Sequence, residues 1–352
     1  MSFILGVDTG GTYTDAVILE NEERVIAFSK SLTTHSDLSL GIGSAIKQAV
    51  NQKNIKPEKI SLVSLSTTLA TNALVEEQGD RVALIMIGFK DSDLEKHSIF
   101  DALSGDPFLV IEGGHNYAGF EKNPLDKIEL SSWVSKVTGI SAYAVCSQFA
   151  VRNPEHELEA AEIIRKLTDK PVSLSHQLSA KLNGPKRALT AILNARLIAL
   201  IDLLIIKAEY VLENLGILAP LMVVRGDGAL ISAAQAREKP IETILSGPAA
   251  SIVGARWLTG ENEAIVSDIG GTTTDIAVLM GGKPAIDPRG ASVGPYRTMV
   301  EAVAMYTFGL GGDSEVKLEL GGLGGDISLG PKRVVPISLA ASIEPDVIHQ
   351  TL

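Results

Sequence analysis

The chain has a single cysteine, Cys146, among its 352 residues. That excludes an intrachain disulfide and makes a reducing compartment, the cytoplasm, the expected setting. Positive charge is also scarce: 31 Lys and Arg against 42 Asp and Glu give a formal net charge of -11. With no polybasic run, neither a nucleic acid nor a membrane is expected as a partner. Met1–Gly6 lacks a basic segment and reaches Asp8 too early for a signal peptide. The six histidines show no H-x-x-x-H or H-E-x-x-H spacing, so no zinc site is expected. No G-x-S-x-G nucleophile elbow occurs. The longest apolar stretch, Ala188–Leu215, is interrupted by Arg196, Asp202, Lys207 and Glu209. A long buried helix is expected there rather than a membrane span.

An apolar content of 45% and a charged content of 21% are those of an ordinary globular protein, and the length suits two domains. Short apolar runs at Ile4–Val7, Asp15–Leu19, Val25–Ser29, Leu62–Leu65, Val82–Ile87, Ala142–Cys146 and Val172–Leu174 read as strands. Helical periodicity predicts helices from Ser36 or Asp37 to Gln52, Thr67 to Glu77, Pro154 to Leu167 and Lys186 to Leu215. Further strands are expected at Leu221–Val224, Ala264–Val266 and Ile276–Leu279, with Gly247-Pro248 opening a helix. The alternation predicts an α/β fold with mixed sheets. Residues 91–129, punctuated by glycine and proline, read as an irregular insertion at one edge. A boundary between residues 1–182 and 183–352 is expected, unmarked by any Ser- or Pro-rich linker.

The most informative feature is a repeat. Asp8–Leu19 and Asp268–Leu279, 260 residues apart, share D-x-G-G-T-x-T-D between two apolar runs. Paired glycines permit positive φ and let backbone N–H groups approach an anion. A threonine hydroxyl adds a donor, and an aspartate closing the first strand is placed to hold Mg²⁺. Thr9, Gly10, Gly11 and Thr12 in the first copy, and Gly270, Gly271 and Thr272 in the second, are therefore candidate phosphate contacts. Asp8 and Asp268 are candidate metal ligands and catalytic groups, whereas Asp15 and Asp275 read as turn caps. Two such hairpins define the actin-like ATPase (ribonuclease H-like) class that includes sugar kinases and Hsp70, and imply ATP with Mg²⁺.

Further motifs narrow the class. GVDTGGTYTDAV (Gly6–Val17), STTLATNALVEEQG (Ser66–Gly79), GFKD (Gly88–Asp91), NPEHE (Asn153–Glu157) and LSH (Leu174–His176) occupy the first half. RGDGALIS (Arg225–Ser232), LSGPAAS (Leu245–Ser251), DIGGTTTD (Asp268–Asp275) and GLGGDS (Gly309–Ser314) follow. In this order they resemble the hydantoinase A/5-oxoprolinase family. Two departures stand out: Leu65-Ser66 replace a frequent His-Gly, and Arg225-Gly226-Asp227-Gly228 replace a frequent Ser-Asn-Gly-Gly. The resemblance implies an N-terminal hydantoinase/oxoprolinase domain over 1–182 and a hydantoinase A core domain over 183–352. Relatives of this kind run longer, so a truncated or short member is expected, with part of the adenine pocket or substrate site lying elsewhere.

The implied activity is an ATP-dependent cyclic amidohydrolase, opening a hydantoin- or 5-oxoproline-type ring after phosphoryl transfer to the carbonyl oxygen. A small-molecule kinase and a non-catalytic nucleotide-binding regulatory subunit are the alternatives. Thr67, Thr68, Asn72 and Arg225 are candidate substrate contacts. Asp227 is a candidate base or metal ligand, and Gly311, Gly312, Gly321 and Gly322 resemble adenosine-contacting turns. A second, B-type subunit and a homo-oligomer are compatible with the resemblance.

Overall fold

The computed structural model describes residues 2–34, 36–76, 79–271, 273–319, 326–336, 340–341 and 344–346. By contact density it divides into two units: Met1–Ala250 with Ile286–Ala302, and Ser251–Ala285 with Val303–Leu352.

The first unit opens with three antiparallel strands, β1 (Phe3–Thr9), β2 (Tyr13–Glu20) and β3 (Arg24–Leu32). Alternating burial along β1 marks a sheet with one packed face. Helix α1 (Leu38–Gln52) starts where Asp37 accepts the Ser39 N–H as N-cap, and buries Ile42, Ala45, Ile46 and Ala49. It crosses over to β4 (Ile60–Thr67), parallel to β1, and short α2 (Leu69–Val75) follows. The chain then builds a parallel sheet from β5 (Val82–Ile87), β6 (Phe108–Ile111), β7 (Ala142–Ser147) and β8 (Val172–Leu174). Helices α3 (Ile99–Leu103), α4 (Lys127–Val134), α5 (Glu155–Leu167) and α6 (Ser175–Leu178) accompany it. Every residue of β5 and β7 is buried, as expected for strands covered on both faces.

The 31-residue α7 (Gly184–Asn214) packs against β7 and α1 within the same unit. Its length and apolarity suit a membrane span, yet 61% of its most apolar window is buried inside the protein. Asn194 ties it to its surroundings: Nδ2 donates to Ser173 Oγ and Glu238 O, and Oδ1 accepts the Ile241 N–H. Strands β9 (Leu221–Val224) and β10 (Leu230–Ser232) complete the first sheet, in the order β10-β9-β4-β1-β2-β3. Helices α8 (Ala233–Glu238) and α9 (Ser246–Thr259) follow, and α9 leads into the second unit.

There, β11 (Ala264–Ile269) and β12 (Thr274–Met280) form a second hairpin, continued by β13 (Lys283–Pro284). A small excursion, β14 (Ser292–Val293) with β15 (Tyr296–Arg297), belongs to the first unit. Back in the second unit, β16 (Met305–Phe308) pairs with β12, and β17 (Ser314–Glu319) pairs with β18 (Asp326–Arg333). The architecture is the expected mixed α/β fold of the actin-like ATPase class. One expectation is corrected: residues 91–129 are not merely an irregular insertion. They supply β6, an edge of the parallel sheet, and bury Ile99, Leu103 and Leu125. A four-residue strand between turns is too short to show a period.

Candidate functional site

The two hairpins are built alike. In the first, Asp8 lies opposite Asp15 and Thr9 opposite Thr14; in the second, Asp268 lies opposite Asp275 and Ile269 opposite Thr274. Each turn is closed from its first glycine: the Gly10 N–H donates to Tyr13 O at 3.0 Å, and the Gly270 N–H to Thr273 O at 2.9 Å. None of Gly10, Gly11, Gly270 and Gly271 has positive φ, contrary to expectation. Close approach is what requires glycine: a Cβ on Gly10 would sit 3.2 Å from Tyr13 O, and one on Gly270 3.3 Å from Thr273 O. Thr272 lies outside the described residues.

Both turns are braced by the chain leaving the third strand. In the first unit the Thr33 N–H donates to Thr12 O at 2.9 Å, and Thr33 Oγ1 to Gly10 O at 2.9 Å. In the second, the Gly312 N–H donates to Gly270 O at 3.0 Å and the Asp313 N–H to Gly271 O at 2.8 Å. Gly312, expected at an adenosine, thus lies against the hairpin itself, while the Gly311 N–H donates to Ser314 Oγ. Gly321 and Gly322 are outside the described residues. Thr14 and Thr274 serve the same bracing, through Thr33 Oγ1 and Leu310 O. Asp15 and Asp275 do not cap their turns. They reach sideways to the third strand, to Lys30 Nζ at 2.7 Å and Thr307 Oγ1 at 2.6 Å.

Around the first hairpin the structure gathers several expected residues. Ser66 Oγ donates to Asp8 Oδ1 at 2.6 Å, a contact set by the parallel register of β1 and β4. Thr9 is buried; its carbonyl accepts Thr67 Oγ1 at 3.0 Å and the Thr68 N–H at 3.3 Å. Thr67 Oγ1 also accepts the Leu69 N–H, and the Thr67 backbone exchanges hydrogen bonds with Ser246 Oγ. Thr67 is therefore fully engaged inside the protein. Thr68 and Asn72 lie one helical turn apart, and a Cβ on Gly11 would stand 3.4 Å from Asn72 Nδ2. A Cβ on Gly247 would lie 4.0 Å from Asp8 Oδ1 and 3.3 Å from Thr68 Cγ2, so the start of α9 approaches the aspartate closely. An open pocket of about 480 Å³ borders Asp8, Asp15, Lys30, Ser66, Val224 and Ala250.

Arg225 and Asp227 follow that pocket's Val224 wall but pair with each other. Arg225 Nη2 donates to Asp227 Oδ2 at 2.9 Å, Glu242 stands 3.6 Å from Nη1, and Asp227 Oδ1 accepts the Ala229 N–H. Asp268, on the second hairpin, is exposed. Among the described residues no cluster of three or more His, Cys, Asp or Glu could hold a metal ion. Ser66 and Thr33 were not singled out as site residues by sequence reasoning; the parallel register and the strand-exit loop, both non-local, bring them to the hairpin.

A second polar cluster lies at the carboxyl ends of β7 and β8. Buried Glu157 accepts from the Ser147 and His176 N–H groups, from Ser175 Oγ, and from His176 Nδ1 at 2.6 Å. Buried Arg187 donates to Ser175 Oγ and Ser147 O. The NPEHE and LSH motifs thus meet in one network that locks strand ends to helices α5 and α7.

Residues 4–168 match the family model described as the hydantoinase/oxoprolinase N-terminal region, and residues 187–336 match hydantoinase/oxoprolinase. Caprolactamase subunit alpha of Pseudomonas jessenii is 28% identical across 93% of this chain and 50% of its own length. 5-Oxoprolinase 1 of Arabidopsis thaliana is 25% identical across 90% of this chain and 28% of its own. Among solved structures, the ATP-dependent caprolactamase from Pseudomonas jessenii is 25% identical with a TM-score of 0.77, over 94% of this chain and 51% of that one. Nucleotide-free acetone carboxylase, 20% identical with a TM-score of 0.76 over 94% and 51% of the two chains, shares the fold. The chain spans about half the length of the caprolactamase subunit, and less of the oxoprolinase. With both family models matched in order across most of its length, the chain belongs to the hydantoinase/oxoprolinase family.

Proposed function

We propose that this chain carries the phosphate-handling part of an ATP-dependent cyclic amide hydrolase. The observation that carries the reading is the pair of Asp-Gly-Gly hairpins with one hydrogen-bond plan, in a chain similar to an ATP-dependent caprolactamase. A lactam amide resists water because its carbonyl carbon is a poor electrophile. Transfer of the γ-phosphoryl to the carbonyl oxygen forms a P–O bond, breaks the bond to ADP and makes that carbon electrophilic. Water then adds, the ring C–N bond breaks, and the nitrogen takes a proton, leaving an acyl phosphate. A second water at the same carbon releases phosphate bearing the former carbonyl oxygen. The protein's contribution is positioning and charge neutralisation.

In this reading Gly11 and Thr12 of the first tip, and Gly271 and Thr272 of the second, contact phosphate oxygens, while Gly10 and Gly270, whose N–H groups close the turns, let the phosphate come near. Asp8, fixed by Ser66, is the proposed Mg²⁺ ligand of the first hairpin, and Asp268 that of the second. The donors suit such an ion: one or two hard carboxylate oxygens with water and phosphate, not an all-protein cage. The ion supplies charge neutralisation on the transferring phosphoryl group. Thr68, Asn72 and Arg225 are the proposed substrate-side donors, with Asp227 orienting Arg225. A B-type partner subunit fits the subunit naming of the caprolactamase relative.

The test is incubation with Mg-ATP and hydantoin, 5-oxoproline or caprolactam, following ADP and ring-opened product together. Stoichiometric release of both, lost in Asp8→Ala, is expected. ADP formed with a phosphate ester and an intact ring would replace this reading by a kinase. ATP binding with turnover at background and unchanged by Asp8→Ala would leave only a nucleotide-binding module.

A further inference from the structure

Helix α2 touches two places. Its Asn72 stands by the tip of the first hairpin. Its next two residues, Ala73 and Leu74, line a cavity of about 230 Å³ whose lining includes no hairpin residue. That cavity is built within the first unit alone, from α2, the start of β5, α3, α7 and Tyr296.

The lining is part apolar and part charged. Ala73, Leu74, Ala102 and Leu193 are buried apolar walls. Arg196 is already engaged: its guanidinium donates to the carbonyls of Asp80, Ala102 and Leu103 and to Asp106 Oδ2 at 2.6 Å. Asp106, its side chain 3% exposed, is engaged in turn by Arg196, by the Val82 N–H and by Arg81 Nε. Two charges remain. Arg81 uses only Nε, and among the described residues its two terminal nitrogens donate to no group. Asp101, exposed in the first turn of α3, accepts no hydrogen bond among the described residues. A free guanidinium fork and a free carboxylate beside apolar walls suit a ligand that carries both charges on a hydrocarbon chain. The volume lies below the roughly 300–1,000 Å³ of sites for drug-sized molecules, so that ligand is small.

We propose that this cavity binds a short zwitterionic amino acid, its carboxylate on Arg81, its ammonium on Asp101 and its methylenes against Ala73, Leu74 and Leu193. The ligand's identity rests on the hydrolase reading above, because opening a lactam leaves an ammonium and a carboxylate on one methylene chain. The cavity is then a product site. Since α2 carries Ala73 and Leu74 into the cavity and Asn72 to the hairpin tip, a bound amino acid alters how the tip receives phosphate, and the coupling is reciprocal.

Calorimetric titration of the chain with 6-aminohexanoate, without nucleotide, tests the site. A Kd of about 1 mM or tighter is expected. Hexanoate and hexylamine, each lacking one charge, should bind about tenfold more weakly or worse, as should 6-aminohexanoate to Arg81→Gln and to Asp101→Asn. Both substitutions fall on exposed side chains, and an unchanged urea midpoint checks that the fold is kept. The Kd for ATP should shift about fivefold when 6-aminohexanoate is bound, and should not shift in Asp101→Asn. No binding up to about 10 mM, or binding that neither substitution weakens, would overturn the proposal. An ATP affinity unmoved by the bound amino acid would overturn the coupling. Ring opening by a chain that binds no amino acid would remove this site and leave the hydrolase reading standing. Amino-acid binding that needs Arg81 and Asp101, in a chain that opens no ring, would support the site and count against that reading.

Discussion

At the scale of single residues, non-local hydrogen bonds decide what a side chain does. Asp8, Thr67 and Asn72 stand in recognisable motifs, but only the fold shows that Thr67 is spent on Thr9 and Leu69 while Asn72 stays at the hairpin tip. Thr33 stands in no motif, yet it holds two turn carbonyls. Thr33→Val should loosen the first turn and weaken nucleotide binding by about tenfold, the worth of one or two net hydrogen bonds, measurable by calorimetric titration with ATP. His115 offers a pH signature. It is fully buried with neither ring nitrogen hydrogen-bonded, and burial together with the adjacent His156 ring holds its pKa below that of a free imidazole. The folded pKa being depressed, stability is intact above about pH 6.5, the unfolded value, and falls as pH drops through the folded value. His115→Phe should flatten that decline in denaturant titrations between about pH 7 and 5; an unchanged slope would show that other groups cause it. Cys146 is equally closed off: burial pushes its thiol up to about 12. It should resist alkylation at pH 8 in the native protein and react once unfolded.

Elements were legible where their period was long or their strands fully apolar. Val82–Ile87 lies where the buried run predicts it, and α1 begins at the expected Asp37 cap. Helix α7 was legible for the same reason, since Arg196 and Asp202 break an otherwise apolar run. The strand β6 was not, because four residues between turns carry too little pattern. What no local pattern could reveal is how Asn194 pins α7, satisfying Ile241 N, Glu238 O and Ser173 Oγ together. Asn194→Leu should destabilise the first unit by about 2–4 kcal/mol by stranding buried polar groups, read as a shift in urea midpoint. A loss below about 0.5 kcal/mol would mean that water replaces the amide.

For the whole molecule, the sequence repeat foretold two hairpins, and the structure adds that in both the first glycine closes the turn and its carbonyl is held by the chain leaving the third strand. The repeat did not reveal how unequally the two units are finished. That depends on pairing between distant segments, and here one sheet has six strands while its counterpart has four. The chain spans half the length of its caprolactamase relative, and among the described residues no strand lies beside β11 where β4 lies beside β1. Removal of Mg²⁺ with EDTA should abolish ATP binding if the Asp8 carboxylate meets the phosphates through the ion, and binding that survives chelation would separate the first hairpin from any metal.

In the proposed reaction ATP activates the amide carbonyl itself. A lactam labelled with ¹⁸O at its carbonyl, turned over with ATP in unlabelled water, tests it most directly. One ¹⁸O atom is expected in each released phosphate, detected by mass spectrometry or ³¹P NMR. Label retained entirely in the product carboxylate, with unlabelled phosphate, would contradict it.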